Sequence, residues 1–278
     1  MKAVSLFSGA GGFDLGFKDF FDIVGAYEYN DDAVASYQAN FSEPIHKADL
    51  RELDMSTLPD ADVIFGGPPC QGFSQAWKGD TSDERCDLVW RFVEAIKAKS
   101  PKAFVMENVS ALARQRKWRP LKVALLKAFR KAGYSVECMV LNASHYGVCQ
   151  ARERAFFIGV KGDVNITPPP AGCVANAPTV REILERFPQA KEDGANNTVV
   201  RPAKNPILHG SPYRSSLLFN GRGRVLDLDS VARTIPAQCS GNHAAIVDEA
   251  WLAGGSSWVA NYQQHLKEGG EPVKAAPP

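Results

Sequence analysis

Apolar runs of strand length alternate with helical periodicities through the first 160 residues, and this alternation restricts the fold more than any other feature of the chain. Strands read over Ala3–Phe7, Ile23–Tyr27, Asp62–Phe65, Lys102–Val109 and Ser135–Leu141. Helices read over Asp32–Asn40, Asp87–Lys99 and Leu121–Lys131. In the last, Leu121, Ala124, Leu125, Ala128 and Phe129 form one apolar stripe and Gly133 makes a C-terminal stop. Strands and helices in alternation build a doubly wound, largely parallel sheet, so the expected class is α/β. Such sheets collect binding and reactive groups beyond the carboxyl ends of their strands.

The unusual residues of this chain stand at those ends. The first strand runs into Ser8-Gly9-Ala10-Gly11-Gly12 and then an amphipathic helix, an arrangement that presents backbone N–H groups to a nucleotide-type cofactor. It is not the dinucleotide fingerprint, because Asp14 stands where the third glycine belongs. The second strand ends at Glu28, which can accept hydrogen bonds from ribose hydroxyls or, equally, cap a helix. Asp49 follows the next strand end, a place where an ordinary turn residue is also common.

After Asp62-Val63-Ile64-Phe65 comes Gly66-Gly67-Pro68-Pro69-Cys70-Gln71-Gly72-Phe73-Ser74. Two prolines stiffen the loop where the thiol of Cys70 emerges, and the glycines admit close approach of other groups. The thiolate of such a cysteine is a nucleophile. Read alone, the cysteine fits a small buried hydrophobe equally. Farther on, an apolar strand delivers Glu107, a carboxyl whose setting can raise its pKa and keep it a proton donor. Arg152 and Arg154 alternate with Glu153 at the start of another strand and so share a face, for a site or for surface ion pairs.

Taken in order, Phe7-Ser8-Gly9-Ala10-Gly11-Gly12, Pro68-Pro69-Cys70-Gln71-Gly72-Phe73-Ser74, Glu107-Asn108-Val109 and Gln150-Ala151-Arg152-Glu153-Arg154 resemble the motifs of the DNA (cytosine-5) methyltransferases. The resemblance implies a Rossmann-like S-adenosylmethionine-dependent methyltransferase sheet with a smaller target-recognition domain. It implies S-adenosylmethionine as cofactor, S-adenosylhomocysteine as product, and no metal. Phe7, Gly9, Gly11, Gly12, Phe13, Glu28, Asp49, Leu50 and Pro68 would bind the cofactor, Glu28 at the ribose and Asp49 at the adenine. Cys70 would add to C6 of cytosine, Glu107 act as the acid at N3, Arg154 sit at the O2 edge, and Arg152 hold Glu107. Gln71 and Ser74 would contact DNA. The chemistry requires the base outside the helix, so base flipping is implied.

The texture changes at Thr167-Pro168-Pro169-Pro170. A catalytic and cofactor-binding domain is expected over residues 1–167, and a recognition domain with a return segment over 168–278. Arg201, Lys204, Arg214, Arg222 and Arg224 are candidate readers of guanine edges or mere phosphate contacts. Arg224-Val225-Leu226-Asp227-Leu228-Asp229 and Arg233-Thr234-Ile235-Pro236-Ala237 look like the motif that closes the recognition domain. The Gly-Asn-x-Val segment of the family is not found, Gly241-Asn242-His243 being a partial echo. A second subunit supplying it, a truncated chain and an inactive remnant are the readings this leaves. In the first two, Trp251–Leu266 would expose an apolar patch.

The net charge of +1 assigns any attraction to DNA to a local patch; Arg114-Gln115-Arg116-Lys117-Trp118-Arg119 could track phosphates or simply begin a helix. The six cysteines show no CxxC pair or zinc spacing, which points to a reducing compartment, with Cys138 and Cys149 as buried thiols. No run is long enough for a transmembrane helix and no signal peptide is found. A bacterial cytoplasmic, nucleoid-associated enzyme acting on double-stranded DNA is the expectation. A tRNA cytosine-5 methyltransferase and a non-catalytic module that binds DNA or a partner chain are the alternatives. The long segment from Pro168 to Arg224 favours DNA over tRNA, and the presence of Cys70 and Glu107 favours catalysis.

Overall fold

The structure, a computed structural model, describes residues 1–69, 87–170, 177–187, 201–213, 216–219, 224–235 and 245–273. The chain forms two compact units, one of Met1–Leu141 with Glu153–Pro169, the other of Asn142–Arg152 with Pro170–Pro278. Its elements run β1 (Lys2–Leu6), α1 (Gly12–Phe17), β2 (Asp22–Glu28), α2 (Asp31–Asn40), β3 (Ile45–Lys47), β4 (Val63–Gly66), α3 (Asp87–Lys99), β5 (Ala103–Val109), α4 (Ser110–Arg114), α5 (Arg119–Lys131), β6 (Tyr134–Asn142), β7 (Gln150–Ala151) and β8 (Glu153–Lys161). They continue with α6 (Val180–Leu184), β9 (Pro202–Ile207), β10 (Leu217–Phe219), β11 (Arg224–Val225), β12 (Ala232–Arg233), β13 (Ala245–Ile246), α7 (Glu249–Leu252) and α8 (Trp258–Lys267).

The first unit is built on a seven-stranded sheet of order β3-β2-β1-β4-β5-β8-β6. Pairing is parallel from β3 to β5, and β8 then runs antiparallel to β5. The chain winds outward from β1 to β3 and crosses back to β4, so the order reverses between β1 and β4. In α/β sheets that reversal opens a crevice at the carboxyl ends.

Alternate residues of each strand feed opposite faces. Val4, Leu6, Ile64, Phe104, Met106 and Phe157 join Phe92 of α3 and Leu121, Leu125 and Phe129 of α5 in one core. Ala3, Ile23, Val63 and Phe65 join Phe13 and Phe17 of α1 on the other. The stripe of α5 is therefore its packing face. The helix begins two residues before Leu121 because Pro120 suits the first turn, where its missing N–H costs nothing.

Gly159 of β8 lies opposite Phe104 of β5, and a Cβ there would stand 2.1 Å from the ring of a fully buried Phe104. Gly159→Ala is therefore expected to destabilise the unit by about 2–3 kcal/mol, read as a lower urea midpoint at unchanged slope.

In the second unit β9 pairs with β10, β11 with β13, and β12 with β7. The expected exposed patch over Trp251–Leu266 is corrected here. Val259, Tyr262 and Leu266 of α8 are buried against Leu218, Phe219 and Val225, so the apolar stripe is spent within this unit. Among the described residues, no helix is long and apolar enough to cross a membrane.

Candidate active site

The glycine turn after β1 is held from below by a buried carboxylate. Asp14, in the first turn of α1, is fully buried and accepts hydrogen bonds from Ser5 Oγ at 2.9 Å and Tyr37 Oη at 3.1 Å. Burial pushes its carboxyl above the usual range even with those two donors. Asp14 occupies the place of the third fingerprint glycine and ties the turn to β1 and α2. Gly11 caps α1 with φ 89°, and a Cβ on it would meet the Phe41 ring at 2.2 Å, so only glycine fits. Phe7 takes φ 57° without being glycine, a strained conformation of the sort that clusters at binding sites.

From above, the turn is held by Glu28. Its carboxylate accepts the N–H of Gly9 at 2.9 Å on one oxygen, and those of Tyr29 and Asn30 at 2.9 and 2.8 Å on the other. The cap of α2 is Asn30, not Glu28. A cavity of about 450 Å³ opens here, lined by Phe7, Tyr27, Glu28, Tyr29, Asn30, Ala48, Asp49, Leu50, Arg51, Gly67, Pro69 and Leu88. Of the expected cofactor residues, Phe7, Glu28, Asp49 and Leu50 are thus brought together. Gly9, Gly11 and Gly12 shape the turn beside them. Pro68 lies between two lining residues, and its carbonyl accepts from Asn108 Nδ2 at 3.2 Å. Phe13 packs instead against Phe65, Phe17 and Phe156, on the α1 side of the sheet.

The cavity fits a nucleoside-type cofactor: apolar walls from Phe7, Leu50 and Leu88, with two carboxylates for polar contacts. The Arg51 guanidinium lowers the pKa of the Asp49 carboxyl from its ordinary value. Tyr29 and Arg51 were missed from sequence. The available signal was position, Tyr29 directly after Glu28 and Arg51 two residues after Asp49. Among the described residues, no group of three or more His, Cys, Asp or Glu could hold a metal ion.

Glu107 stands at the end of β5, on the other side of the β4 loop. Its Oε2 would lie 3.2 Å from a Cβ built on Gly67. Gly67–Pro69 therefore borders both the cavity and the acid, and Cys70 is the next residue in the chain. Cys70, Gln71 and Ser74 themselves lie outside the described residues, as do Arg214, Arg222 and Gly241-Asn242-His243.

Arg154 Nε donates to Glu107 Oε1 at 2.8 Å, and both side chains are largely buried. Arg154, expected at the O2 edge of the base, is thus also an ion-pair partner of Glu107. Register explains it. Glu107 pairs with Phe156, so Arg154 is its diagonal neighbour on the same face. Arg152 falls before the first residue of β8, in the second unit, where its carbonyl accepts from the N–H of Ala143 at 3.0 Å.

The basic run near α5 is also modified. Arg114 pairs with Glu153 at 2.7 Å and Trp118 is core, while Arg116, Lys117 and Arg119 stay exposed where α5 begins. Arg201 is exposed just before β9, and Lys204 is exposed upon it; Arg224 opens β11. Cys138 and Cys149 are half-buried and free. Burial pushes the Cys138 thiol up to about 11, which keeps it protonated and inert at neutral pH.

A family model for C-5 cytosine-specific DNA methylases matches residues 1–237. The chain is 41% identical over 169 residues to the Type II methyltransferase M.FnuDI of Fusobacterium nucleatum, covering 60% of this chain and 49% of that protein. It is 34% identical over 263 residues to the Type II methyltransferase M.NgoPII of Neisseria gonorrhoeae, covering 90% of this chain and 75% of that one. Its match to the first of these thus spans about half of that relative's length. The fold is shared with the S. pombe Dnmt2 methyltransferase, at TM-score 0.62 and 14% identity over 88% of this chain and 74% of that one. It is also shared with a Spodoptera frugiperda DNMT2 mutant, at TM-score 0.62 and 17% identity over 99% and 85%. With the glycine turn, the acid at the end of β5 and a matching model over residues 1–237, the chain belongs to the C-5 cytosine-specific DNA methylase family.

Proposed function

We propose that this chain methylates C5 of a cytosine flipped out of duplex DNA, through a covalent Cys70–C6 adduct. The observation that carries the reading is the shared border: Gly67 and Pro69 line the cavity, a Cβ built on Gly67 would stand 3.2 Å from Glu107 Oε2, and Cys70 is the next residue in the sequence. Acid and cofactor cavity thereby meet at neighbouring strand ends, and the nucleophile follows Pro69 in the sequence.

S-adenosylmethionine, when bound, supplies an electrophilic methyl group on a sulfonium and leaves as S-adenosylhomocysteine. Phe7, Glu28, Asp49 and Leu50 would hold it. The residues of the chain do the rest. C5 of cytosine is a poor nucleophile until Cys70 Sγ adds at C6 and turns C5 into an enamine-like carbon. Addition drives electron density to N3, where Glu107 delivers a proton. Arg154 fixes the Glu107 carboxyl and places a guanidinium beside the developing charge. Once C5 carries the methyl group, its proton passes to water, the 5,6 double bond re-forms with expulsion of Cys70 Sγ as thiolate, and N3 returns its proton to Glu107. Arg152 would hold the Glu107 carboxyl, and Arg201, Arg214, Arg222 and Arg224 are candidate contacts to the target bases or their phosphates. A cytoplasmic place with access to the chromosome follows from the substrate.

The test is transfer of label from methyl-labelled S-adenosylmethionine into mixed-sequence duplex DNA and, separately, into tRNA. Label recovered as 5-methylcytosine from DNA is the expected result. Label confined to tRNA would replace the substrate, and absence of label from both would remove the assigned activity from the chain.

A further inference from the structure

Arg51 lines the cofactor cavity, yet no part of the proposed chemistry uses it. Its Nε donates to both Asp49 carboxylate oxygens at 3.0 Å, and its Nη2 donates to Oδ2 at 2.5 Å. Its backbone N–H donates to Oδ1 at 2.9 Å. The guanidinium also lies over the Tyr29 ring, 5.9 Å from the centroid, and Tyr29 lines the same cavity. Asp49 is largely buried while Arg51 remains half-exposed, so the arginine reaches the carboxylate from the solvent side.

We propose that Arg51 is a positioning residue of the cofactor cavity, its guanidinium fixing the Asp49 carboxylate in the orientation that accepts a hydrogen bond from an exocyclic amino group of a purine. The inference rests on the reading of the cavity given above, and it adds a residue and a mechanism to it. A carboxylate has about four acceptor sites. Arg51 occupies sites on both oxygens, which leaves few and directs them. A side chain that would otherwise rotate is thereby preorganised, and a ligand does not have to order it on binding. Stacking on Tyr29 limits the motion of the arginine in turn. The same contacts keep Asp49 ionised and so an acceptor only. The opposite arrangement, in which Arg51 plugs the site and must be displaced, predicts the opposite sign.

The test is calorimetric titration of the full chain with S-adenosylhomocysteine, which reads binding without turnover. Arg51→Ala is expected to weaken binding about three- to tenfold, within the range for a hydrogen bond to a charged group that is partly exposed. Arg51→Lys, a point charge without the planar fork, should recover only part of the loss. In an Asp49→Ala background, Arg51→Ala should add nothing, because the residue acts through Asp49. Unchanged or tighter binding by Arg51→Ala would overturn the proposal, and so would an equal loss in the Asp49→Ala background. Failure of the unaltered chain to bind S-adenosylhomocysteine would instead remove the reading of the cavity, and this inference with it.

Discussion

Cys70→Ala is expected to lower methyl transfer by at least about 10⁴-fold while S-adenosylhomocysteine binds as before. The reason is chemical. Without Sγ the C5 carbon of cytosine stays aromatic, and neither Glu107 nor Arg154 can make it a nucleophile. The described walls of the cofactor cavity, Phe7, Glu28, Asp49, Leu50, Gly67 and Pro69 among them, are untouched by the deletion of one sulfur. Cys138 cannot substitute, because it sits on β6 with its thiol pushed up to about 11. Single-turnover transfer into duplex DNA, beside a cofactor titration, measures both halves. Transfer at the original rate would rule out the covalent route.

The second large effect is expected from Glu107→Gln, a fall in kcat of about 10²–10³-fold with the fold intact. Glutamine keeps the size of glutamate, which matters because Gly67 leaves only 3.2 Å between a built Cβ and Oε2. Its amide oxygen can still accept from Arg154 Nε. What it cannot do is release a proton to N3. Activity equal to that of the unaltered chain would assign Glu107 to structure only, as the partner of Arg154. A thermal melt taken alongside separates lost chemistry from lost folding.

Much of the first unit was legible because its signals are local. The apolar run ending in Gly66 and the stripe of α5 declare strand and helix without reference to distant residues. The insertion of β8 against β5 was not legible, since it depends on pairing Glu107 with Phe156 across the whole α4–β7 stretch. The same pairing sets Arg154 beside Glu107, which alternation alone does not reveal. The ion pair of Arg114 was not legible either, because its partner, Glu153, is 39 positions away. The apolar residues of α8 were visible, but their partners Leu218 and Phe219 lie in a stretch whose prolines and glycines read as loop. In the cavity, Glu28 and Asp49 were found at strand ends, whereas Tyr29 and Arg51 look like ordinary surface residues until the fold lines them up.

The two-residue ladder between β7 and β12 bears on how members of such a family could exchange parts. Gln150 and Ala151 pair with Ala232 and Arg233, and Thr234 Oγ1 donates to the Ala151 carbonyl at 3.0 Å. The second unit is therefore stitched from two separate stretches of gene, 142–152 and the chain from 170 onward. A recombination event or a chimera that swaps only the later stretch would join one half of a ladder to a stranger's other half. A transplant that keeps its ladder intact and leaves β8 in place needs three crossovers, two of them flanking the eleven codons before β8.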